Sequence, residues 1–223
     1  MREAKHLESR MGFQLERFSF FSDGVFAICI TLLVIEIKVP VLPENTDHAL
    51  LEYLSETSLK FFGFVLSFCI IGHYWIVHHR IFGYVKKSPN ALLWINLAFL
   101  LTVVLLPFSS GLFGEYGSNI HMYVPYLIYV LNMCLTGFVN YWLWLYVSNP
   151  KREILTHKIS KQRIRLGAVK SLVIPVVFIF SLLVSLFSPL VSRFIPILIP
   201  VILNFGLKGF ERKANLQESL VEK

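Results

Sequence analysis

The stretch from Arg17 to Lys38 gathers the residue types best able to act on an ion. Arg17, Asp23, Glu36 and Lys38 carry charge at its two ends, and Thr31 sits in a short apolar middle. An ionisable group at membrane depth is costly unless it is paired or meets water, so such a segment should face protein or an aqueous path more than lipid. Glu36 and Lys38 have side chains long enough to snorkel to an interface. Asp23 is short and lies past Phe20 and Phe21, so its carboxylate needs a partner such as Arg17 or a polar group on a neighbouring helix. Ile28, Thr31, Leu32 and Ile35 fall at i, i+3, i+4 and i+7, which places them on one helix face. By itself such a stripe is ordinary helix packing. Repeated around an axis it makes rings of branched apolar side chains with one hydroxyl ring between them. A narrow apolar bore gates by dewetting, because it cannot hold an ion's hydration shell, and Thr31 offers the single side-chain oxygen on that face.

Other chemistry has weaker support. His73 and His78 lie about 140° apart round a helix and share a ligand face poorly, while His78 and His79 are adjacent and diverge. A zinc site on this helix alone is therefore not expected. Haem ligation with a second ligand from another helix and a proton-coupled transporter using Asp23 and the histidines are the rival chemistries. No nucleophile elbow, P-loop or HExxH motif occurs, so no catalytic site, metal site or cofactor is expected and the chain is read as a non-enzyme. Nor does the chain contain the Thr-Val-Gly-Tyr-Gly carbonyl filter of the usual potassium channel.

These residues need a membrane scaffold. Of the 223 residues 55% are hydrophobic, and stretches such as Ser171 to Val191 carry no charge at all, which is membrane partitioning and not a soluble core. The formal charge of +7 does not indicate a nucleic-acid partner, because the aromatic residues lie inside apolar runs and not among the basic ones. Cys29, Cys69 and Cys134 stand alone in apolar segments as inert residues. The first seventeen residues are charged and lack an apolar cleavable core, so no signal peptide is expected. About 20 apolar residues cross a bilayer, and six spans are predicted, at 18–39, 61–84, 91–113, 122–147, 172–187 and 190–207, giving an all-α six-helix bundle in one domain. Pro196 and Pro200 should kink the sixth. Between them, Pro40 to Leu59 is polar with room for a short surface helix, Lys86 to Asn90 and Gly114 to His121 are turns, and Ser148 to Leu166 is a basic linker. Six spans place the termini and the second and fourth connections on one side, which then holds all of the 21 Lys and Arg except Lys38, Lys60 and Arg193. The positive-inside rule makes that side cytoplasmic, as in a multi-pass protein of a bacterial inner membrane with both termini inside.

The spacing Arg-x-x-x-Phe-Ser-Asp, then Gly-Val-Phe-Ala-Ile and Thr-Leu-Leu-Val-Ile-Glu, resembles the first helix of prokaryotic members of the lysosomal potassium-channel family, transmembrane protein 175. The resemblance continues at His73 to Phe82 and at Asn96 and Pro107-Phe108, and so covers roughly the first half of the chain. It implies a six-helix subunit, a homotetramer around a central pore walled by the first helix, and permeation of potassium ions across the lipid bilayer. On that reading Ile28, Leu32 and Ile35 line the pore as a hydrophobic gate and Thr31 contributes to ion selectivity. Arg17, Phe21, Ser22 and Asp23 would support the pore helix, with His78 on the second helix and Trp94 or Asn96 on the third as partners.

Overall fold

The computed structural model describes residues 2–117, 119, 122–157 and 159–221, with side chains from residue 12 to residue 217 among them. Ser118, Ile120 and His121 of the expected turn, and Lys158 of the basic linker, lie outside the described residues. So do the side chains of Arg2, Lys5 and Arg10. The described chain is all helical apart from one isolated bridge. Its helices are α1 (Arg2–Ile35), α2 (Asp47–Glu56), α3 (Ser58–Gly83), α4 (Asn90–Val104), α5 (Leu106–Tyr116), α6 (Tyr123–Val147), α7 (Lys161–Ser185), α8 (Pro189–Phe194), α9 (Leu198–Val201) and α10 (Lys208–Val221). Among the described residues six segments are long and apolar enough to cross a membrane: Gly12–Ile35, Ser58–Gly83, Asn90–Tyr116, Tyr123–Val147, Lys161–Ser185 and Pro189–Gln217.

Several boundaries differ from the sequence-based ranges for local reasons. The helix of the fifth span begins at Lys161, not Leu172, because Ser160 accepts a hydrogen bond from the Arg163 amide and caps it. The expected linker from Ser148 is correspondingly shorter. The third span is two helices, broken at Leu105, since Pro107 in the first turn of α5 cannot donate to the preceding turn. The last span is interrupted at its prolines: a 3₁₀ turn over Ile195–Ile197 separates α8 from α9, and a π-helical turn over Ile202–Gly206 separates α9 from α10. The polar stretch after the first span carries α2, whose N-cap Thr46 accepts from the Ala49 amide.

Helices in such a bundle gain little from the hydrophobic effect against one another, so close approach and interhelical hydrogen bonds fix their packing. Both are present here. Gly137 of α6 lies so close to the Pro175 ring of α7 that a Cβ would overlap it. Ser67 of α3 bonds both Ser110 of α5 (2.8 Å) and Tyr129 of α6 (2.9 Å). Asn132 donates to Ser109 (2.9 Å), and Asn140 donates to Ser171 (3.1 Å). Around these bonds a buried aromatic column packs Phe26, Tyr74 and Phe99 near α1, and Phe113, Tyr129 and Phe178 further across. The second and fourth connections meet at one end: Lys86 donates its amide to Ile154 O and Thr156 donates its amide to Tyr84 O, each at 2.8 Å. The two basic connections therefore share one end of the bundle, as the two spans between them require.

Candidate functional site

The pore-helix candidate α1 packs on α3, α4 and α5 along one side only. Its buried residues Ser22, Phe26, Cys29 and Leu33 recur at i, i+4, i+7 and i+11 and define that side. At about 100° per residue the arc of Ile28, Thr31, Leu32 and Ile35 lies across the helix from it. The structure leaves this second arc bare: Ile28 is 59% exposed, Leu32 39% and Ile35 67%, and Thr31 is exposed with them. Gly24 continues the arc one turn earlier, where it has no neighbour that an added Cβ would meet. Thr31 Oγ1 donates its one proton to a backbone carbonyl of the preceding turn, Ala27 O at 3.1 Å or Ile28 O at 2.9 Å. The hydroxyl donor is thereby occupied, and the oxygen lone pairs are the part left for a cation.

The expected supporting residues divide into two groups. Ser22, His78 and Asn96 are wholly buried and come together from three helices. His78 Nε2 bonds Asn96 Oδ1 at 2.7 Å, Asn96 Nδ2 donates to Ser22 Oγ at 3.0 Å, and Ser22 Oγ donates to Phe18 O at 3.1 Å. With Asn96 in this orientation every proton runs the same way, so Nε2 carries the imidazole proton. The His78 ring stacks on Phe82 at 4.3 Å and lies parallel to Phe99 at 5.9 Å, with Phe26 tilted against it at 5.6 Å. This cluster bolts the pore-helix candidate to α3 and α4.

Arg17, Phe21 and Trp94 are not drawn into that cluster. Arg17 is exposed and lies over the Phe13 ring at 5.8 Å instead of pairing with Asp23, while Phe21 is 54% and Trp94 72% exposed. Asp23 finds the second kind of partner expected for it, a polar group on a neighbouring helix: Trp75 Nε1 donates to its Oδ1 at 2.9 Å. Sequence reasoning missed Trp75 in this role. The signal was present, since Trp75 and His78 are three residues apart on α3, and that face serves Asp23 directly and Ser22 through Asn96. At the far end of α1 the Glu36 side chain lies against Gly111, in space that a Cβ there would fill, and Lys60 pairs with Glu115 at 2.7 Å.

The family model of the endosomal/lysosomal potassium channel TMEM175 matches residues 17–107, which hold the whole stripe and the three-helix cluster. A potassium channel of Streptomyces collinus is 32% identical over 161 residues, covering 68% of this chain and 76% of that one. An endosomal/lysosomal proton channel TMEM175 of Gallus gallus is 36% identical over 112 residues, 48% of this chain and 22% of that much longer protein. The crystal structure of a lysosomal potassium-selective channel TMEM175 homologue from Chamaesiphon minutus superposes with a TM-score of 0.72 at 27% identity, over 86% of this chain and 98% of that one.

Proposed function

This chain belongs to the TMEM175 family of membrane channels, and from that premise we propose that it is a potassium-permeable cation channel, one subunit of a homotetramer around a pore lined by α1. Ile28, Leu32 and Ile35 form the hydrophobic constriction, and the four Thr31 hydroxyl oxygens tune ion preference. Ions pass without a carbonyl filter. The subunit is a multi-pass protein of the bacterial inner membrane, with both termini and the basic connections on the cytoplasmic side.

One observation carries the reading: the apolar stripe of α1 is bare on the side of the helix opposite the face that is buried and bolted down. Back-bonding to the preceding turn satisfies the Thr31 proton and leaves the oxygen lone pairs on the bare side of the helix. A ring of four such oxygens offers acceptors to a partly dehydrated cation at the narrowest part of the bore. The polar cluster supports the same division of labour, since Ser22, Asn96 and His78 hold the helix and leave its other side free.

The test is flux. Purified protein in liposomes should pass potassium, with sodium and protons measured as separate arms. Ile28→Asn should raise conductance by keeping the bore wet, and Ile28→Trp should lower it. Thr31→Val removes the oxygen at nearly constant volume and should move the potassium-to-sodium permeability ratio towards one under bi-ionic conditions. Flux of protons alone would replace potassium by hydrogen ion as the permeant species. No flux of any of the three ions, or unchanged conductance in Ile28→Asn, defeats the assignment of this face.

A further inference from the structure

At the basic end of the bundle, away from α1, the helices α3, α6, α7 and α10 enclose a cavity of about 200 Å³. Three cations line it, Arg80, Arg163 and Lys170, against one carboxylate, Glu211. Lys170 pairs with Glu211, and Arg163 donates to Asn215 Oδ1 at 3.0 Å. Arg80, exposed at the rim, has no ion-pair partner among the described residues. The inner wall is polar in a different way. Asn140 is 1% exposed and donates one amide proton to Ser171, while its Oδ1 is buried and has no donor among the described residues. The Tyr74 hydroxyl is equally buried and has no partner among the described residues, but it lies deeper, beside Gly137.

Buried polar groups are almost always satisfied, so the unpartnered Asn140 oxygen in the cavity lining points to an occupant that completes it. Water alone would satisfy it but would not account for Arg80, a cation at the rim with no ion-pair partner among the described residues. Basic pockets between transmembrane helices at a cytoplasmic surface suit anionic head groups. We propose that this cavity binds an anionic phosphodiester lipid head group bearing free hydroxyls, its phosphate held at the Arg80, Arg163 and Lys170 rim and a hydroxyl donating to Asn140 Oδ1. The volume lies below the ~300–1,000 Å³ of sites for drug-sized ligands, which suits a head group whose acyl chains remain in the bilayer. The cavity face of α3, with His73, Val77 and Arg80, backs onto the face that carries Trp75 and His78. An occupant therefore bears on the helix that holds the pore helix. Only the leaflet assigned to the lipid rests on the proposed orientation; binding is independent of permeation.

The full-length protein, purified in detergent, is titrated with short-chain phosphatidylglycerol, short-chain phosphatidylcholine and inorganic phosphate, with bound ligand read by native mass spectrometry. Saturable binding of phosphatidylglycerol but not phosphatidylcholine is expected. Arg80→Gln should weaken it about fivefold, the effect of one cation near a membrane surface. Asn140→Asp, which puts a carboxylate where the hydroxyl acceptor stood, should weaken it further. Where Asn140→Asp does not fold, Arg80→Gln decides, since an exposed and unpaired side chain is not needed for folding. Inorganic phosphate binding in an Arg80-dependent way without phosphatidylglycerol would keep the anion site and assign it to a free phosphate. Equal binding of both lipids, unchanged phosphatidylglycerol binding by Arg80→Gln, or water as the sole occupant would overturn the proposal. None of these readouts depends on ion flux, so they stand apart from the test of the channel.

Discussion

Asn96→Leu removes the middle member of the His78–Asn96–Ser22 cluster, and the structure sets the size of the effect. Asn96 makes two hydrogen bonds, at 2.7 and 3.0 Å, between wholly buried side chains. Interhelical bonds in membranes are worth about 0.6 kcal/mol on average and at most about 1.7. A buried group left without its partner costs about 1–3 kcal/mol. The main orphan in the variant is the His78 Nε2 proton, because Ser22 Oγ still donates to Phe18 O. The expected loss is therefore about 2–3 kcal/mol, which for a chain of this size lowers the melting temperature by roughly 5–10 °C. The companion variant His78→Phe/Asn96→Leu removes both the orphan proton and its acceptor. Its phenyl ring takes the imidazole's place between Phe82 and Phe99. That double variant should melt above Asn96→Leu alone, because replacing both partners by apolar groups is far less costly than removing one. Thermal unfolding of the parent, both single variants and the double variant in one detergent completes the cycle. A double variant that melts below Asn96→Leu, with a loss relative to the parent equal to the full sum of the two single losses, would refute the view that satisfaction of these polar groups holds α1 in place.

Arg17→Ala should leave subunit stability within about 0.5 kcal/mol, since Arg17 does not pair with Asp23, whereas Trp75→Phe should reduce the yield of assembled oligomer on size exclusion by stripping Asp23 of its donor. Gly137→Ala should destabilise by about 1–3 kcal/mol through overlap with the Pro175 ring, while Gly72→Ala, where an added Cβ meets nothing within 4 Å, should be neutral or stabilising by up to ~1 kcal/mol, both read by thermal melting. Leu33→Asn should cost expression and folding because Leu33 is 2% exposed, and Val34→Asn on the same helix should be tolerated because Val34 is 54% exposed; equal yields of the two would mean that α1 is rotated from the position described.

The bareness of the α1 stripe came from the structure, whereas hydropathy and spacing were enough to set the all-helical class, the six membrane segments and the sharing of one face by Ile28, Thr31, Leu32 and Ile35. Each follows from a local property: apolar length against bilayer thickness, or residue period against helical pitch. The motif Phe-Ser-Asp and the residues His78 and Asn96 were legible as belonging together by their resemblance to a family. Which of them touch was not, because a contact between Ser22 and Asn96 spans 74 positions and depends on how three helices are tilted. Tertiary structure alone decided that Asp23 takes the Trp75 indole and not the Arg17 guanidinium, since a helix can present either neighbour to a carboxylate until its rotation is fixed. It also decided that Lys161 to Lys170 are helical: the Ser160 cap and contact with α10 outweigh the polar composition that reads as a linker. The basic cavity draws Arg80, Asn140, Lys170 and Glu211 from four helices, so no window of sequence contains it. Local chemistry set which segments enter the membrane and which face of each is apolar. Packing among them, through Gly137 against Pro175 and hydrogen bonds between helices, set which polar groups find one another.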